Sequence, residues 1–374
     1  MKRSAWVYVA IIAAVISGNL ALAQELRFFR IGTGSTAGAN FPLGGLIASV
    51  ISNPPGSRDC GRGGSCGVPG LIAVAQATQG SAENAREVGG GRLDAAIIQA
   101  DVASLAYEGR GEFTGKNQQG DLRAATSLYP EAMQIVVRRD SGITTIAALK
   151  GKRVSLDTPS SGSQLAARAV LAAAGVRLAD LKVVHVDIGT ATEMMRERKL
   201  DAFFYVGGSP APAITQLSEA VELHLIGLAP ALIERVRKAN PHYQPIVVPP
   251  SVYKRGEETT TLGIYALLVV NQSLPNDFVY AILRSLWHPS ARTMLSSGHV
   301  QGRMINLETA LSGLTIPLHP GAQRYYNEAG LLREGALTPT PTPSATPPTS
   351  AAPSATPTGD QSQPATRARP QSSR

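Results

Sequence analysis

Short apolar runs alternate with amphipathic stretches along the chain, a pattern typical of α/β proteins. In the first third, three runs predict strands and the stretches between them carry apolar residues at helical spacing, as at Leu43, Ile47 and Val50. The predicted strands are 27–31, 71–75 and 95–98, and the predicted helices are 43–51 and 81–88. This β-α-β-α-β order predicts a parallel sheet.

The same alternation repeats further along the chain and predicts a second sheet. A strand at 133–137 leaves the first lobe, and the second sheet, also expected to be parallel, has strands at 153–156, 183–186, 202–206 and 223–226, with helices at 164–174 and 214–221. A last strand at 263–270 and a helix at 278–287 follow. If this last strand rejoins the first sheet, the chain crosses twice between two α/β lobes, and the two crossings form a hinge. The expected segments are lobe I at 24–130, the crossing and lobe II at 131–262, and the return to lobe I at 263–336.

The chain starts with the features of a secretory signal peptide. Lys2 and Arg3 precede an apolar stretch over 5–16, and residues 21–23 are Ala-Leu-Ala, the small-x-small pattern of a cleavage site. An uncleaved membrane anchor is the alternative, but the apolar run is shorter than the roughly 20 residues that span a bilayer. We therefore expect cleavage after Ala23 and a periplasmic protein.

The last segment, 337–374, consists mainly of Pro, Thr, Ser, Ala and Gln. Such a composition buries too little apolar surface to offset the entropy of ordering, so we expect a disordered tail. The 313 residues between the two ends exceed what a single hydrophobic core usually accommodates, which again favours two lobes.

The formal net charge of the whole chain is +8, and the two ends contribute two charges each, which leaves +4 for the lobes. This mild excess suits an anionic ligand. It is too dilute, and aromatic residues are too few, to indicate nucleic-acid binding.

Cys60 and Cys66 are the only cysteines. In an exported chain, an even pair at this spacing most simply forms a local disulfide, worth about 2 kcal/mol in the chain-entropy model. A redox pair or a metal site is less favoured, because no further soft ligand lies near in the sequence.

Three loops combine glycine with small polar residues between a predicted strand and a predicted helix: 32–38, 79–84 and 159–163. Each could present hydroxyls and backbone N–H groups at a helix N-terminus, where an anion is favoured. Because such loops lie at the carboxyl ends of parallel strands, we expect all three to face one crevice. Taken singly, each is equally well explained as an N-cap or a tight turn.

The sequence resembles the TAXI family, the extracytoplasmic receptors of one class of TRAP transporters. The resemblance extends from about Arg30 to Leu332. It rests on the order of several short motifs: 31–36 with 40–44, 75–84, 99–103, 128–131, 201–205 with 208–210, 319–322 and 325–330. It implies a class II periplasmic binding protein fold that closes on a small organic acid or amino acid. It also implies delivery of that ligand to a TRAP-type membrane permease, with no catalysis. We expect no cofactor, no metal ligands and a monomer, while the sequence leaves open whether a metal ion accompanies the ligand and whether the protein dimerises.

The resemblance also implies which side chains hold the ligand. In lobe I these are Gly34, Ser35, Thr36, Asn40, Ser81, Asn84 and Gln99. In lobe II they are Ser160, Gly162 and Ser163, with Tyr129, Phe204, Tyr205 and Ser209 along the cleft and hinge. Phe204 and Tyr205 are equally plausible as core residues of a strand. Asp101 more often caps a helix than binds a cation.

Three other functions fit parts of the sequence. Residues 32–37 match the G-x-G-x-x-A pattern of dinucleotide-binding enzymes, but the second strand ends without the acidic residue that holds the ribose. A hydrolase lacks support, because the nearest approach to a nucleophile elbow places Pro210 directly after Ser209 and the six histidines are scattered. An exported ligand sensor without a transport role would keep the same binding fold.

Overall fold

The computed structural model describes residues 26–254 and 256–332. The predicted signal peptide and the predicted tail lie outside these ranges. None of the described helices is both long enough and apolar enough to cross a lipid bilayer.

The strands number twelve in the described chain. They are β1 (Arg27–Gly32), β2 (Ser52–Asn53), β3 (Val68–Pro69), β4 (Leu71–Gln76), β5 (Ala95–Gln99), β6 (Leu122–Arg138), β7 (Arg153–Ser155), β8 (Lys182–Val184), β9 (Ala202–Gly207), β10 (Leu223–Leu225), β11 (Gln244–Val248) and β12 (Thr259–Asn271). Ten of them form one sheet, while β2 and β3 pair separately.

Ten α-helices connect these strands in the described ranges. They are α1 (Asn40–Ile51), α2 (Ser81–Gly89), α3 (Ala100–Glu108), α4 (Gly162–Ala173), α5 (Ile188–Arg196), α6 (Pro212–Ala220), α7 (Pro230–Ala239), α8 (Asn276–Leu286), α9 (Pro289–Gly298) and α10 (Pro320–Glu328). Four of them begin with proline, whose fixed φ suits the first helical position and whose missing N–H costs nothing there.

The sheet contains the same strand arrangement twice. In the first half the order is β4-β1-β5-β12-β6, and in the second half it is β8-β7-β9-β6-β10. In each half, three parallel strands are followed by an antiparallel strand that comes from elsewhere in the chain. This duplicated α/β arrangement confirms the predicted fold class and the two-lobe architecture.

The long strand β6 belongs to both halves. It pairs with β12 up to Ala132 and with β9 from Ala132 onward, so the sheet is continuous across the two lobes. The return strand β12 lies between β5 and β6. The expected segment boundaries, at 130/131 and 262/263, thus fall inside β6 and β12 and stay a prediction.

Helices cover both faces of the sheet, which explains why its central strands are apolar on both sides. On β12, Leu267 and Val269 pack with helices α2, α3 and α4 in one hydrophobic cluster, whereas Leu268 packs with α1 and α8 in another. Helices α5 and α6 cover the second lobe on the side opposite α4.

Cys60 and Cys66 form the predicted disulfide, with their Cα atoms 4.7 Å apart. The bond closes a short loop after β2, and neither cysteine lines the cleft described below. It therefore constrains a surface segment of lobe I.

Candidate functional site

A cleft of about 570 Å³ lies where the parallel strands of both lobes end. Residues at or directly after the ends of β1, β4 and β5 line it from lobe I, and residues at or after the ends of β7, β8 and β9 line it from lobe II. The lining residues are Thr33, Gly34, Ser35, Gly38, Asn40, Ala77, Thr78, Gln79, Gly80, Ser81, Glu83, Gln99, Asp157, Thr158, Ser161, Gly162, Ser163, His185, Val186, Asp187, Thr190, Tyr205 and Val206. This is the position at which α/β sheets generally bind ligands.

The loop after β1 reaches across to lobe II. The Ser35 hydroxyl donates a hydrogen bond to Asp187 Oδ2 at 2.5 Å and accepts one from the Ala37 backbone N–H. The Thr33 hydroxyl donates to the Gln76 carbonyl and thereby fastens this loop to the end of β4. The first predicted loop is therefore held at the mouth of the cleft by both lobes.

The start of α2 touches the turn that precedes α4. The Ser160 carbonyl accepts hydrogen bonds from the N–H groups of Ala82 and Glu83, at 3.1 and 3.3 Å. The Thr158 hydroxyl donates to the Gln79 carbonyl at 3.0 Å. Two of the free donors expected at this helix start are thus used for contact between the lobes, which are in a closed arrangement.

A buried polar network forms the floor of the cleft. Glu131, fully buried in β6, accepts hydrogen bonds from Asn40 Nδ2 at 2.8 Å and from Gln99 Nε2 at 2.7 Å. Tyr129 donates its hydroxyl proton to Asn40 Oδ1. Burial raises the pKa of Glu131 to about 7, although these hydrogen bonds oppose the increase. Two cleft-lining amides are therefore tied to a titratable group on a strand shared by the lobes.

Lobe II presents the start of α4 to this floor. Ser161 caps the helix by accepting a hydrogen bond from the Gln164 N–H, so the first turn begins at Gly162. A Cβ atom on Gly162 would lie only 1.7 Å from Gln99 Oε1, so glycine is required for this close approach. Ser163 accepts a hydrogen bond from the Val206 N–H, which fixes its hydroxyl oxygen beside β9.

The cleft contains three carboxylates, Glu83, Asp157 and Asp187. Burial raises the pKa of Asp157 to about 6, and the negative charge of Asp187 contributes to that increase. Burial also opposes ionisation of Asp187, but hydrogen bonds from Ser35 and Thr190 outweigh it and lower its pKa. The Asp187 carboxylate is therefore the more strongly ionised of the two.

The structure brings together many of the predicted site residues. Those that line the cleft are Gly34, Ser35, Asn40, Ser81, Gln99, Gly162, Ser163 and Tyr205. Tyr205 is also buried in a hydrophobic cluster, and its hydroxyl oxygen accepts a hydrogen bond from the Ala39 N–H. Both interpretations of Tyr205, as a core residue and as a cleft residue, therefore hold.

Other predicted residues lie outside the lining. Thr36 is exposed at the loop, Phe204 is in the core, and Ser209 follows β9. Asn84 and Tyr129 are buried supports, since Asn84 donates to the carbonyls of Thr33 and Ile97. Ser160 contributes its backbone carbonyl to the lobe contact. Their roles in ligand binding stay a prediction.

Sequence reasoning missed Asp157, Thr158, His185 and Asp187. A signal was available, because these polar residues come directly after or at the ends of the predicted strands 153–156 and 183–186. Asp101, by contrast, lies outside the cleft and inside the first turn of α3. Its carboxylate accepts hydrogen bonds from the Tyr243 hydroxyl and the Val102 N–H.

A family comparison decides the assignment of the chain. The model of the NMT1-like family matches residues 31–330. The chain belongs to this family. The match spans both lobes and every residue that lines the cleft. Membership of the TAXI family, which the sequence motifs suggested, stays a prediction.

Several solved structures are similar to this NMT1-like chain at low sequence identity. A protein of Bordetella bronchiseptica is 15% identical, with 81% of this chain and 82% of that chain covered and a TM-score of 0.46. A putative periplasmic sulfonate-binding protein of a sulfonate ABC transporter from Methylobacillus flagellatus is 15% identical, with coverages of 83% and 89% and a TM-score of 0.42. A putative L-cystine ABC transporter protein from Listeria monocytogenes is 11% identical, with coverages of 76% and 98% and a TM-score of 0.43.

Proposed function

We propose that this chain is a periplasmic solute-binding protein that captures a small organic acid or amino acid between its lobes for a membrane transporter. The supporting observation is that one cleft is lined by loops from both lobes and lies at the carboxyl ends of six strands. Binding in such a cleft would stabilise the closed arrangement, and a transporter can recognise the closed form.

Donors for a ligand carboxylate are available from both sides of the cleft. Gly34 and Ser35 offer backbone N–H groups in lobe I, and the first turn of α4 offers those of Gly162 and Ser163 in lobe II. The N-terminus of α4 also contributes its helix dipole. The cleft therefore suits capture of a ligand carboxylate.

The sequence resemblance favours a TRAP-type permease as the partner. An ATP-driven permease would use the same capture step, so the transporter class rests on the resemblance alone. Co-purification of the exported protein with candidate permease subunits tests this part of the proposal.

A thermal-shift screen of organic acids and amino acids tests the capture function. A ligand at a hundredfold excess over its Kd should stabilise the protein by about 2.7 kcal/mol, because it binds only the folded state. Isothermal titration then gives the affinity of each hit. No shift with any compound, together with a shift on addition of NAD, would contradict the proposal and favour a dinucleotide-dependent enzyme.

A further inference from the structure

The charged groups of the cleft are unusual for a site that receives a simple acid. Its charged lining residues are the carboxylates of Glu83, Asp157 and Asp187, and His185 and Tyr205 also line the lobe II wall. Within the described ranges, no lysine or arginine lines the cleft. A ligand with only negative charge would therefore meet three carboxylates and no fixed cation, which is electrostatically unfavourable.

Asp157 and Asp187 are held rigidly on the same wall. The chain places Asp157 directly after β7 with a φ of 72°, and its Oδ1 accepts the Thr158 N–H at 2.7 Å. Asp187 caps α5 by accepting the Thr190 N–H at 3.1 Å. After burial, the negative charge of Asp187 contributes to the raised pKa of Asp157, as expected when a second carboxylate lies nearby. A cation placed beside them would relieve this repulsion.

A metal ion does not explain the arrangement. In the described part of the chain, one group of three possible metal ligands converges within 4.8 Å, and it consists of Cys60, Cys66 and His288. That group lies outside the cleft, and its two sulfur atoms are joined in the disulfide. The cleft carboxylates do not converge in this way, so they fit a larger organic cation better than a metal ion.

A second, independent feature indicates a missing hydrogen-bond donor. Gln99 is 4% exposed and lines the cleft, and its carbonyl oxygen Oε1 has no hydrogen-bond partner in the structure. The orientation of the amide is fixed, because Nε2 donates to Glu131 and to the Val206 carbonyl. A buried acceptor without a donor is unfavourable. This oxygen lies beside Gly162 of the opposite lobe, so a ligand N–H group would have to reach it before that residue closes over it.

We propose that the ligand carries a protonated nitrogen, held by Asp157 and Asp187, and that the site thereby selects amino acids and related amines over simple organic acids. This inference rests on the proposed function and narrows its ligand class. A carboxylate on the same molecule would bind the donors of Gly34, Ser35 and the α4 start. Such a molecule matches both sets of groups in the cleft.

Matched pairs of compounds, one with and one without amino groups, provide the test. The probes are glutamate against glutarate, 4-aminobutyrate against butyrate, and 1,4-diaminobutane against 1,4-butanediol, each measured by thermal shift and titration calorimetry on the full mature chain. We expect the amine of at least one pair to bind about tenfold or more tightly than its partner, because a charge-assisted hydrogen bond is lost in the latter. If, in every pair that binds, the compound without nitrogen binds as tightly as its amine, the inference is overturned while solute capture stays intact. If none of these compounds binds, both the inference about the amine and the proposed capture of a solute are contradicted.

Variants identify the responsible carboxylates. Asp157→Asn and Asp187→Asn keep the shape and the acceptor oxygen for the Thr158 and Thr190 N–H groups but remove the charge. Each should weaken binding of the preferred amine by about tenfold and reduce the ratio of its affinity to that of the matched compound without nitrogen. Asp180→Asn is the matched control, because it removes a carboxylate that pairs with Arg177 outside the cleft. It should change neither the affinity for the amine nor the selectivity. Unchanged amine selectivity in both cleft variants would also overturn the inference.

Discussion

Glu131 connects two cleft residues to the interior of the molecule. Its carboxyl group is buried where β6 crosses between the lobes, and it accepts hydrogen bonds from Asn40 and Gln99. Neutralising it would change the acceptor that orients both amides. It also gives the protein a titratable group whose pKa, raised to about 7 by burial, lies in a range that solution experiments reach easily.

We predict that Glu131 makes the protein less stable as the pH rises from about 4.5 to 7. The folded state keeps a proton that the unfolded chain has already released, so the free energy of unfolding decreases over this window, by up to roughly 3 kcal/mol. Glu131→Gln removes the titration, and urea denaturation at several pH values should give a flatter profile. The raised pKa of Asp157 also lowers stability as the pH rises, at somewhat lower pH. Asp157 is present in both the unmodified protein and the Glu131→Gln variant, so it does not cause a difference between their profiles. Exposed Glu308→Gln is the control, and an equally steep profile for Glu131→Gln would disprove the role of Glu131.

At the residue scale, the sequence indicates which loops line the cleft better than which side chains support it. Ser35, Ser81 and Ser163 could be predicted because small polar residues next to glycine mark the turns that follow strands. The partners of Glu131 could not, because Asn40, Gln99 and Glu131 are far apart in the chain and meet only when the sheet assembles. Local sequence patterns therefore do not predict hydrogen bonds between residues so far apart in the chain.

At the element scale, the lobes meet through backbone groups at the start of α2 and in the turn before α4. The carbonyl of Ser160 occupies donors of α2, and the Thr158 side chain bonds to the Gln79 carbonyl. These bonds join different lobes, so they should exist only while the cleft is closed. Their loss would favour the open state and reduce the apparent affinity.

We therefore predict that Thr158→Val weakens ligand binding by about three- to tenfold, because a hydrogen bond worth about 0.5–1.5 kcal/mol is lost from the closed state. Calorimetry with the best ligand of the screen measures the affinity, and the effect should be a faster dissociation. Valine matches the shape of threonine, and Thr293→Val, which removes an exposed hydroxyl within α9, is the control. An unchanged dissociation rate would mean that this contact does not hold the lobes together.

Apolar periodicity predicted most of the elements that border the cleft, since α1, α2, α4 and the parallel strands carry clear local patterns. It missed the length of β6, which was expected only at 133–137 but extends over Leu122–Arg138. Proline at 130 and polar residues at 126, 127 and 131 interrupt the apolar pattern there. Their burial depends on β12, a strand more than a hundred residues away in the chain, so no local signal reveals it.

For the whole molecule, the shared strands imply that the lobes move about the middle of β6 and β12 rather than about a loose linker. The sheet is continuous through this region, with two shifts in the pairing register, opposite Ala266/Leu267 and Leu268/Val269 of β12, where β6 contains one extra residue each time. Motion of this kind opens the rim of the cleft more than its floor. Contacts at the rim therefore offer a way to control ligand exchange.

The rim contact between Ala37 and Gly189 allows a direct test of lobe movement. Ala37 lies in the loop after β1, and Gly189 lies in the first turn of α5, in the other lobe. A Cβ atom on Gly189 would lie 3.1 Å from the Ala37 Cβ, and disulfides need about 3.5–4.5 Å, so a small relaxation would allow a bond between Ala37→Cys and Gly189→Cys.

We predict that the oxidised double variant exchanges bound ligand at least about tenfold more slowly than the reduced form, because the lobes must separate for release. A chase experiment with excess unlabelled ligand measures the rate. Each single variant and the unmodified protein, treated with the same reductant, control for opening of the Cys60–Cys66 disulfide. If the oxidised protein releases ligand as fast as the reduced protein, the ligand leaves without separation of the rim, and the cleft does not function as a closing trap.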